Sequence, residues 1–415
     1  MKNRAREAGV AWLLAALYYF FQYVLRAAPA VMMPQLRDAF GLSAVGVASL
    51  VGLFYYGYAP FSLVAGMALD RFGPRRVIPI GAVMLGAGSL LFGTGNLMLA
   101  SIGRFLQGAG GVFALVGAVY IVTKSLSASR GATLIGVTQM FGASGGSAGQ
   151  FLVGPMIAAG VAWSSFFIGM GVTGLVIAAL LFVFLPKPKP TKQQDDWLRG
   201  SARAIAAVFG NPQTILCGLI AGLFFIPTTI FEMIWGVRFL QDAHGFDYGE
   251  AVIRSATVPL GWLVGSPLMG LLSDRLGRRK PVLMGAGCGL IACLAWILYG
   301  RPGVLPPYVA GLSMGVVSGS AMILYTVSKE ANPPELVGTA TGAISFQVFS
   351  FSALLGAVFG RIMQSASGGG QMVLEHYQAT FRPLLYGVAL AIALTVVLKE
   401  TGTAAQVPVA SVESI

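Results

Sequence analysis

Charge is what this sequence has least of. Only 10% of its 415 residues are Asp, Glu, Lys or Arg, against about 25% in soluble domains. With 56% hydrophobic residues and a mean hydropathy of +0.77, a water-soluble enzyme is excluded, because a chain of this length could not hide that much apolar surface. The apolar runs do not alternate over short segments, which argues against a β-barrel, and their richness argues against disorder. Cysteine is scarce: Cys217, Cys288 and Cys293 all lie in apolar segments, with neither a disulfide framework nor metal-ligand spacing. Histidine is scarcer still, and His244 and His376 fall in expected outer loops, away from any midplane proton relay. Paired catalytic carboxylates, a nucleophile–base set and a Gly-rich phosphate loop are all missing, so no enzymatic chemistry, cofactor or nucleotide hydrolysis is expected.

What is present is a succession of long apolar segments. They fall at 10–34, 45–69, 77–96, 98–123, 132–160, 162–186, 214–240, 252–273, 281–300, 304–328, 339–364 and 381–399. Each is long enough for a hydrocarbon core of about 30 Å at 1.5 Å per residue. The expected architecture is an all-α membrane protein with twelve transmembrane helices. Lys2, Arg4 and Arg6 precede the first run, and Ala28-Pro29-Ala30 mimics a cleavage site. The run is too long for a signal peptide and contains Arg26, so it reads as an uncleaved first helix.

The basic residues then set orientation. With the amino terminus placed in the cytoplasm, nineteen of the 27 Lys and Arg fall in cytoplasmic segments, six fall outside, and Arg26 and Arg104 lie within helices. The positive-inside rule assigns both termini to the cytoplasm. It also accounts for the net charge of +12 without nucleic acid.

The expected organisation is a six-helix bundle at 1–186, a linker at 187–212, a second six-helix bundle at 213–400 and a cytoplasmic tail at 401–415. Lys187-Pro188-Lys189-Pro190 cannot be helical. After it, Trp197, Leu198, Ala202, Ile205, Ala206 and Phe209 recur at helical spacing, which predicts an amphipathic helix on the inner membrane face.

The two halves repeat. Gly66, Asp70, Arg71, Gly73 and Arg75 recur as Gly270, Asp274, Arg275, Gly277 and Arg279, each 204 positions on. Two parallel repeats give a pseudo-two-fold along the membrane normal and place a binding site near the midplane between them. The pattern G-x-x-x-D-R-x-G-x-R-R after the second helix resembles the signature loop of the major facilitator superfamily. Arg104-Phe-Leu-Gln-Gly108-Ala-Gly110 resembles that superfamily's second motif. The resemblance covers essentially the whole chain and implies secondary transport by alternating access. Physically, the glycines permit close helix approach and the acids pair with a basic residue or a helix amino terminus, making a conformational latch. Gly142, Gly145, Gly146 and Gly149 followed by Gly154-Pro155 partly resemble the Gly-Pro motif of drug–proton antiporters, and packing alone also explains them.

An ionisable group inside a membrane helix marks function by default. Arg26 shares a helical face with Tyr19, Gln22 and Tyr23, a stripe able to bind a polar solute, and its guanidinium is a fork for a carboxylate or phosphate. Pairing within the protein is the alternative. The 204 offset brings Arg26 to position 230, close to Glu232, so these two could pair across the cavity, with Glu232 carrying the coupling proton. Arg104 either snorkels or serves proton coupling and helix locking. Further candidates to line a wet, selective cavity are Tyr55, Tyr56, Tyr58, Tyr120, Gln139, Thr229, Trp235, Trp262, Tyr325 and Gln347.

The first helix resembles those of organophosphate and organic anion transporters, while the stretch Tyr18–Arg76 resembles the phagosomal nutrient transporters. These likenesses imply a bacterial inner-membrane carrier of a small carboxylate-bearing solute, an amino acid or organic anion. Such a carrier would work as a proton-coupled monomer whose partners are its substrate and the bilayer. Multidrug or metabolite efflux is the alternative. A non-transporting sensor would need a soluble domain, for which little chain remains after Lys399.

Overall fold

The structure, a computed structural model, describes residues 2–125, 128–185, 197–301, 306, 308–333, 336–368 and 370–402. Side chains at 2–7, 70–71, 123–125, 128–136, 197–199 and 337 lie outside the description. The amino-terminal half comprises α1 (Lys2–Ala27), α2 (Met33–Phe40), α3 (Ala44–Phe72), α4 (Pro74–Phe92), α5 (Leu97–Ser125), α6 (Ala128–Phe151), α7 (Val153–Ala158) and α8 (Trp163–Phe184). After α9 (Trp197–Phe209) come α10 (Pro212–Ile226), α11 (Gly236–His244), α12 (Tyr248–Leu276), α13 (Lys280–Tyr299), α14 (Val309–Ser318), α15 (Ala321–Glu330), α16 (Val337–Ser367) and α17 (Leu374–Val397).

Eleven helical stretches among the described residues are long and apolar enough to cross a bilayer. The expectation of twelve is not met on these criteria, because the fifth segment, 132–160, is absent from the eleven. It is α6 continued by α7, and its Gly142, Ser144, Gly145, Gly146, Ser147, Gly149 and Gln150 keep it from a high hydropathy. Side chains at those glycines would strike Tyr19, the carbonyls of Phe20 and Val24, and Pro259, so the helix is squeezed between α1 and α12. Lipid-facing helices look different: on α8, Val172, Val176, Phe182 and Val183 are all more than half exposed, a surface suited to lipid and not to water.

Two crossings are broken at matching places. In the first, Pro29 sits in a 3₁₀ turn, Ala28–Met32, between α1 and α2. In the seventh, Pro227 opens a π-helical segment, Pro227–Trp235, between α10 and α11. Proline has no N–H for the carbonyl four residues back, so each helix must loosen there. The 204 offset maps residues 28–32 onto 232–236, so the breaks are pseudo-equivalent.

The halves meet along two seams. Along one, α3 lies against α16, from Val45 beside Gly360 through Tyr58 on Phe349 to Gly66 beside Gly338. Along the other, α6 and α7 meet α12, with Gly146 against Pro259, Ser147 donating to the Ala256 carbonyl and Gly154 of α7 against Val252. The end holding the α3–α4 turn, α9 and the end of α17 is termed inner, after the distribution of basic residues. At the outer end Tyr248 donates to the Val31 carbonyl at 2.6 Å, which ties the halves together.

Helix α9 docks at the inner end, where Val208 is buried with Ala340 and Ala343 and flanked by Leu63 and Phe209. It therefore lies on the α3–α16 seam. Residues 186–196 of the linker and 403–415 of the tail lie outside the described residues.

Candidate transport site

A narrow cavity of about 30 Å³ lies between the halves at mid-depth. Tyr23, Arg26, Gln139, Ala143 and Gly146 line it from one half; Phe225, Thr228, Met233, Pro259, Trp262, Ser266 and Met322 line it from the other. Arg26 dominates its chemistry. The residue is 2% exposed, and Nε, Nη1 and Nη2 all lack a hydrogen-bond partner among the described residues. The guanidinium carbon stands 4.9 Å from the Tyr23 ring centre, 5.2 Å from Tyr55 and 5.1 Å from Phe349. Aromatic faces stabilise a cation but offer no lone pairs in the plane of its N–H groups, so five donors stay unanswered.

The polar rim is held in place by its own bonds. Tyr19 lies 3.4 Å from both the Tyr23 hydroxyl and Gln139 Oε1. The Trp262 indole donates to Thr228 Oγ1 at 3.1 Å. Tyr55 donates across the seam to the Thr229 carbonyl at 3.2 Å, and Thr229 shares a hydroxyl contact of 3.0 Å with Ser352.

Arg104 explains how Arg26 is held. It is fully buried and donates to the carbonyls of Leu25 at 2.9 Å, Arg26 at 3.2 Å and Val51 at 3.1 Å. The Leu25 carbonyl would normally accept from residue 29, which is Pro29 and has no N–H. Arg104 supplies the missing donor, braced by Gln107 at 2.8 Å. Both the snorkelling alternative and an ion pair are absent from this geometry: the side chain points inward, and no carboxylate lies within 4.0 Å among the described residues. The second motif continues with Gly108 and Gly110, where a Cβ would strike the Phe54 and Gly81 carbonyls.

Glu232 is not paired with Arg26 in this conformation. Its Oε1 accepts from Gln150 Nε2 at 3.0 Å and from Ser255 Oγ at 2.9 Å, while Oε2 is buried without a partner. It lines a second, outer cavity of about 110 Å³ inside the carboxy-terminal half, together with His244, Phe246, Arg254, Trp296 and Arg301. Gln150 and Ser255 escape a sequence reading, because an amide and a hydroxyl in small-residue stretches look like packing.

Other expected contacts disperse. Gln22 is buried against α5, where a side chain at Gly111 would meet it. Trp235 packs toward Tyr377 on α17, 6.4 Å between ring centres, inside the carboxy-terminal half. Gln347 reaches the Thr214 carbonyl near the inner start of α10 and does not line the central cavity. Tyr325 meets Ser345 at 3.3 Å, Tyr120 is half-buried, and Tyr56 is 40% exposed on the lipid side.

In the repeated loops, Gly73 and Gly277 both end their helices at positive φ, 75° and 61°, which favours glycine in each copy. Gly66 makes an ordinary contact with Gly338, whereas Gly270 has no described atom within 4 Å, so its close-approach role is corrected for this conformation. In the second copy, Arg279 pairs with Asp274 and with Glu330 at 2.8 Å, while Arg275 is exposed. In the first copy, Arg75 stands over Phe182 at 5.5 Å, and the Asp70 and Arg71 side chains lie outside the described residues.

Comparison with known proteins gives this geometry a family. "Probable sulfoacetate transporter SauU" of Cupriavidus necator is 26% identical over 79% of this chain and 77% of its own length. "Hexuronate transporter" of Bacillus subtilis is 24% identical over 93% and 95%. Among solved structures, the proton:xylose symporter XylE, bound to 6-bromo-6-deoxy-D-glucose, superposes with a TM-score of 0.71 at 16% identity, over 96% of this chain and 97% of that one. The family model of the Major Facilitator Superfamily matches residues 15–398, so this multi-pass chain belongs to that superfamily of transporters.

Proposed function

We propose that this transporter carries a small carboxylate-bearing organic anion by alternating access between its halves. The observation that carries the reading is the Arg26 guanidinium, buried at the seam with no hydrogen-bond partner on any nitrogen among the described residues. An unpaired charge in a low-dielectric interior costs several kcal/mol. A carboxylate or sulfonate entering the cavity would answer it with charge-assisted, fork-like hydrogen bonds. Sulfoacetate and hexuronates, the solutes in the relatives' names, are acids of this kind. An amino acid fits less well, since Glu232 faces the other cavity and leaves the ammonium group no anion beside Arg26. Proton coupling, with Glu232 as the carrier, belongs to the same reading, as does an inner-membrane setting with cytoplasmic termini.

The test is thermal denaturation of the purified protein against sulfoacetate, galacturonate, other mono- and dicarboxylates, amino acids, sugars and lipophilic cations. A ligand at a hundredfold excess over its Kd stabilises by about 2.7 kcal/mol. The expected result is stabilisation by at least one organic anion and its loss in Arg26→Ala. Stabilisation by lipophilic cations alone, unchanged in Arg26→Ala, would turn the account to efflux.

A further inference from the structure

Two buried oxygens face the seam between α6 and the π-helical segment with nothing to accept. They are Glu232 Oε2 and Gln150 Oε1. They belong to side chains already joined by one bond, Gln150 Nε2 to Glu232 Oε1 at 3.0 Å. A carboxylic acid and a primary amide have a complementary two-bond pairing: the amide N–H donates to the acid carbonyl, and the acid O–H donates to the amide carbonyl. The first of these bonds is present, and the two orphaned atoms are those that the second would join. Rotating the Gln150 amide by half a turn does not remove the deficit. Its oxygen would then face Glu232 Oε1 at the same distance, where again only a proton on the carboxyl could serve both. Ser255 donates to Glu232 Oε1 at 2.9 Å and is compatible with either protonation state.

The charged groups around Glu232 do not stand in for that proton. Arg26 on α1 makes no ion pair with it among the described residues. His244 on α11, Arg254 on α12 and Arg301 beyond α13 line the same outer cavity, and Arg254 is engaged by Glu250 on its own helix. Arg238 is paired with Asp242 along α11, and Asp242 also accepts from Tyr377 on α17. The neighbour contributed by α6 is Gln150, which is uncharged.

We infer that Glu232 carries a proton on Oε2 in this conformation and that the resulting acid–amide pair with Gln150 latches α6 to the π-helical segment across the outer half of the seam. Proton uptake closes the outer seam, and loss of the proton removes one of its two bonds and leaves a bare carboxylate that favours water and an open seam. The proton comes from water and returns to water, so no other co-reactant is needed. The inference deepens the proposed function, since it rests on Glu232 as the proton carrier, and it assigns to Gln150 a positioning role across the seam.

The test uses the full-length protein in lipid and needs no substrate. Infrared spectra follow the carboxylic-acid C=O band as pH is raised. Pulsed electron resonance follows the distance between spin labels at Met156 and Ile253, both exposed beside the outer seam, after replacement of the three native cysteines. In the native sequence the acid band and the short distance should disappear together with rising pH. Glu232→Gln should abolish the band and stay closed at every pH, since an amide donates as the acid does. Gln150→Leu should remove the pH dependence of the distance, while Ser255→Ala should keep it. Absence of an acid band that Glu232→Gln removes, or a distance indifferent to pH, overturns the latch. Organic-anion stabilisation measured on the same samples reports separately on Arg26, so failure of either reading is visible without the other.

Discussion

Arg26 on α1 and Arg104 on α5 are the same residue type put to different uses. Arg104 has its donors aimed at three backbone carbonyls and one amide, whereas Arg26 has none of its donors answered. Burial alone does not separate them, since both are out of reach of solvent; partner geometry does. Arg104→Leu should leave the Leu25 carbonyl without any donor, and each such buried acceptor costs about 1–3 kcal/mol. The expected outcome is a marked fall in melting temperature together with weakened anion stabilisation, because the end of α1 that carries Arg26 is released. Arg104→Lys should recover part of the stability and little of the geometry. An unchanged melting temperature in Arg104→Leu would contradict the clamp. Arg26 was legible in the sequence because a guanidinium inside an apolar run has few innocent uses. The role of Arg104 was half legible: its motif pointed to helix locking, while the partner it serves, the carbonyl orphaned by Pro29, appears only once α1 and α5 are packed.

At the level of elements, the π-helical segment shows why even a correct segment can mislead about faces. An α-helical period puts positions three and four apart on one face. In a π-helix the bond runs from i to i+5, and it is Thr228 and Met233, five apart, that line the central cavity, while Phe231, Glu232 and Gly236 turn to the outer one. Glu232, expected to pair with Arg26, and Trp235, expected to line the cavity, both stand elsewhere. The loop after α12 is a second element with a consequence of its own. Both oxygens of Glu400 accept from backbone N–H groups at the start of α13, Arg279 at 2.6 Å and Lys280 at 3.1 Å. Burial pushes this carboxyl up, but those donors, with Gly402 and Thr401, outweigh it and hold it below the ordinary carboxylate range. A depressed folded pKa contributes stability that is complete above the unfolded value, about 4.3, and fades as pH falls through the folded one. Glu400→Gln should thus lower the melting temperature at neutral pH and flatten its decline in acid. Identical acid profiles for the two proteins would show that this bond contributes nothing.

At the scale of the whole molecule, the two halves that carry the repeated loop meet around Arg26, a cation without a hydrogen-bond partner among the described residues. The breaks at Pro29 and Pro227 were not expected, whereas the repeat and the basic inner end were open to sequence reasoning because apolar length and charge bias act along the chain. Which oxygens stay unpaired at the seam was not, since that depends on how two independent halves settle against each other. The central claim is that Arg26 exists to bind a travelling anion. Its most direct test is counterflow in proteoliposomes, in which radiolabelled sulfoacetate or galacturonate exchanges against the same unlabelled acid, for the native protein, Arg26→Lys and Arg26→Ala. The fork-like contact of a guanidinium with an acid is worth about 1.5–3 kcal/mol as charge-assisted hydrogen bonding, so Arg26→Lys should lose about tenfold to a hundredfold in apparent affinity, and Arg26→Ala should not exchange. Exchange of either acid at native rates in both variants would contradict the account.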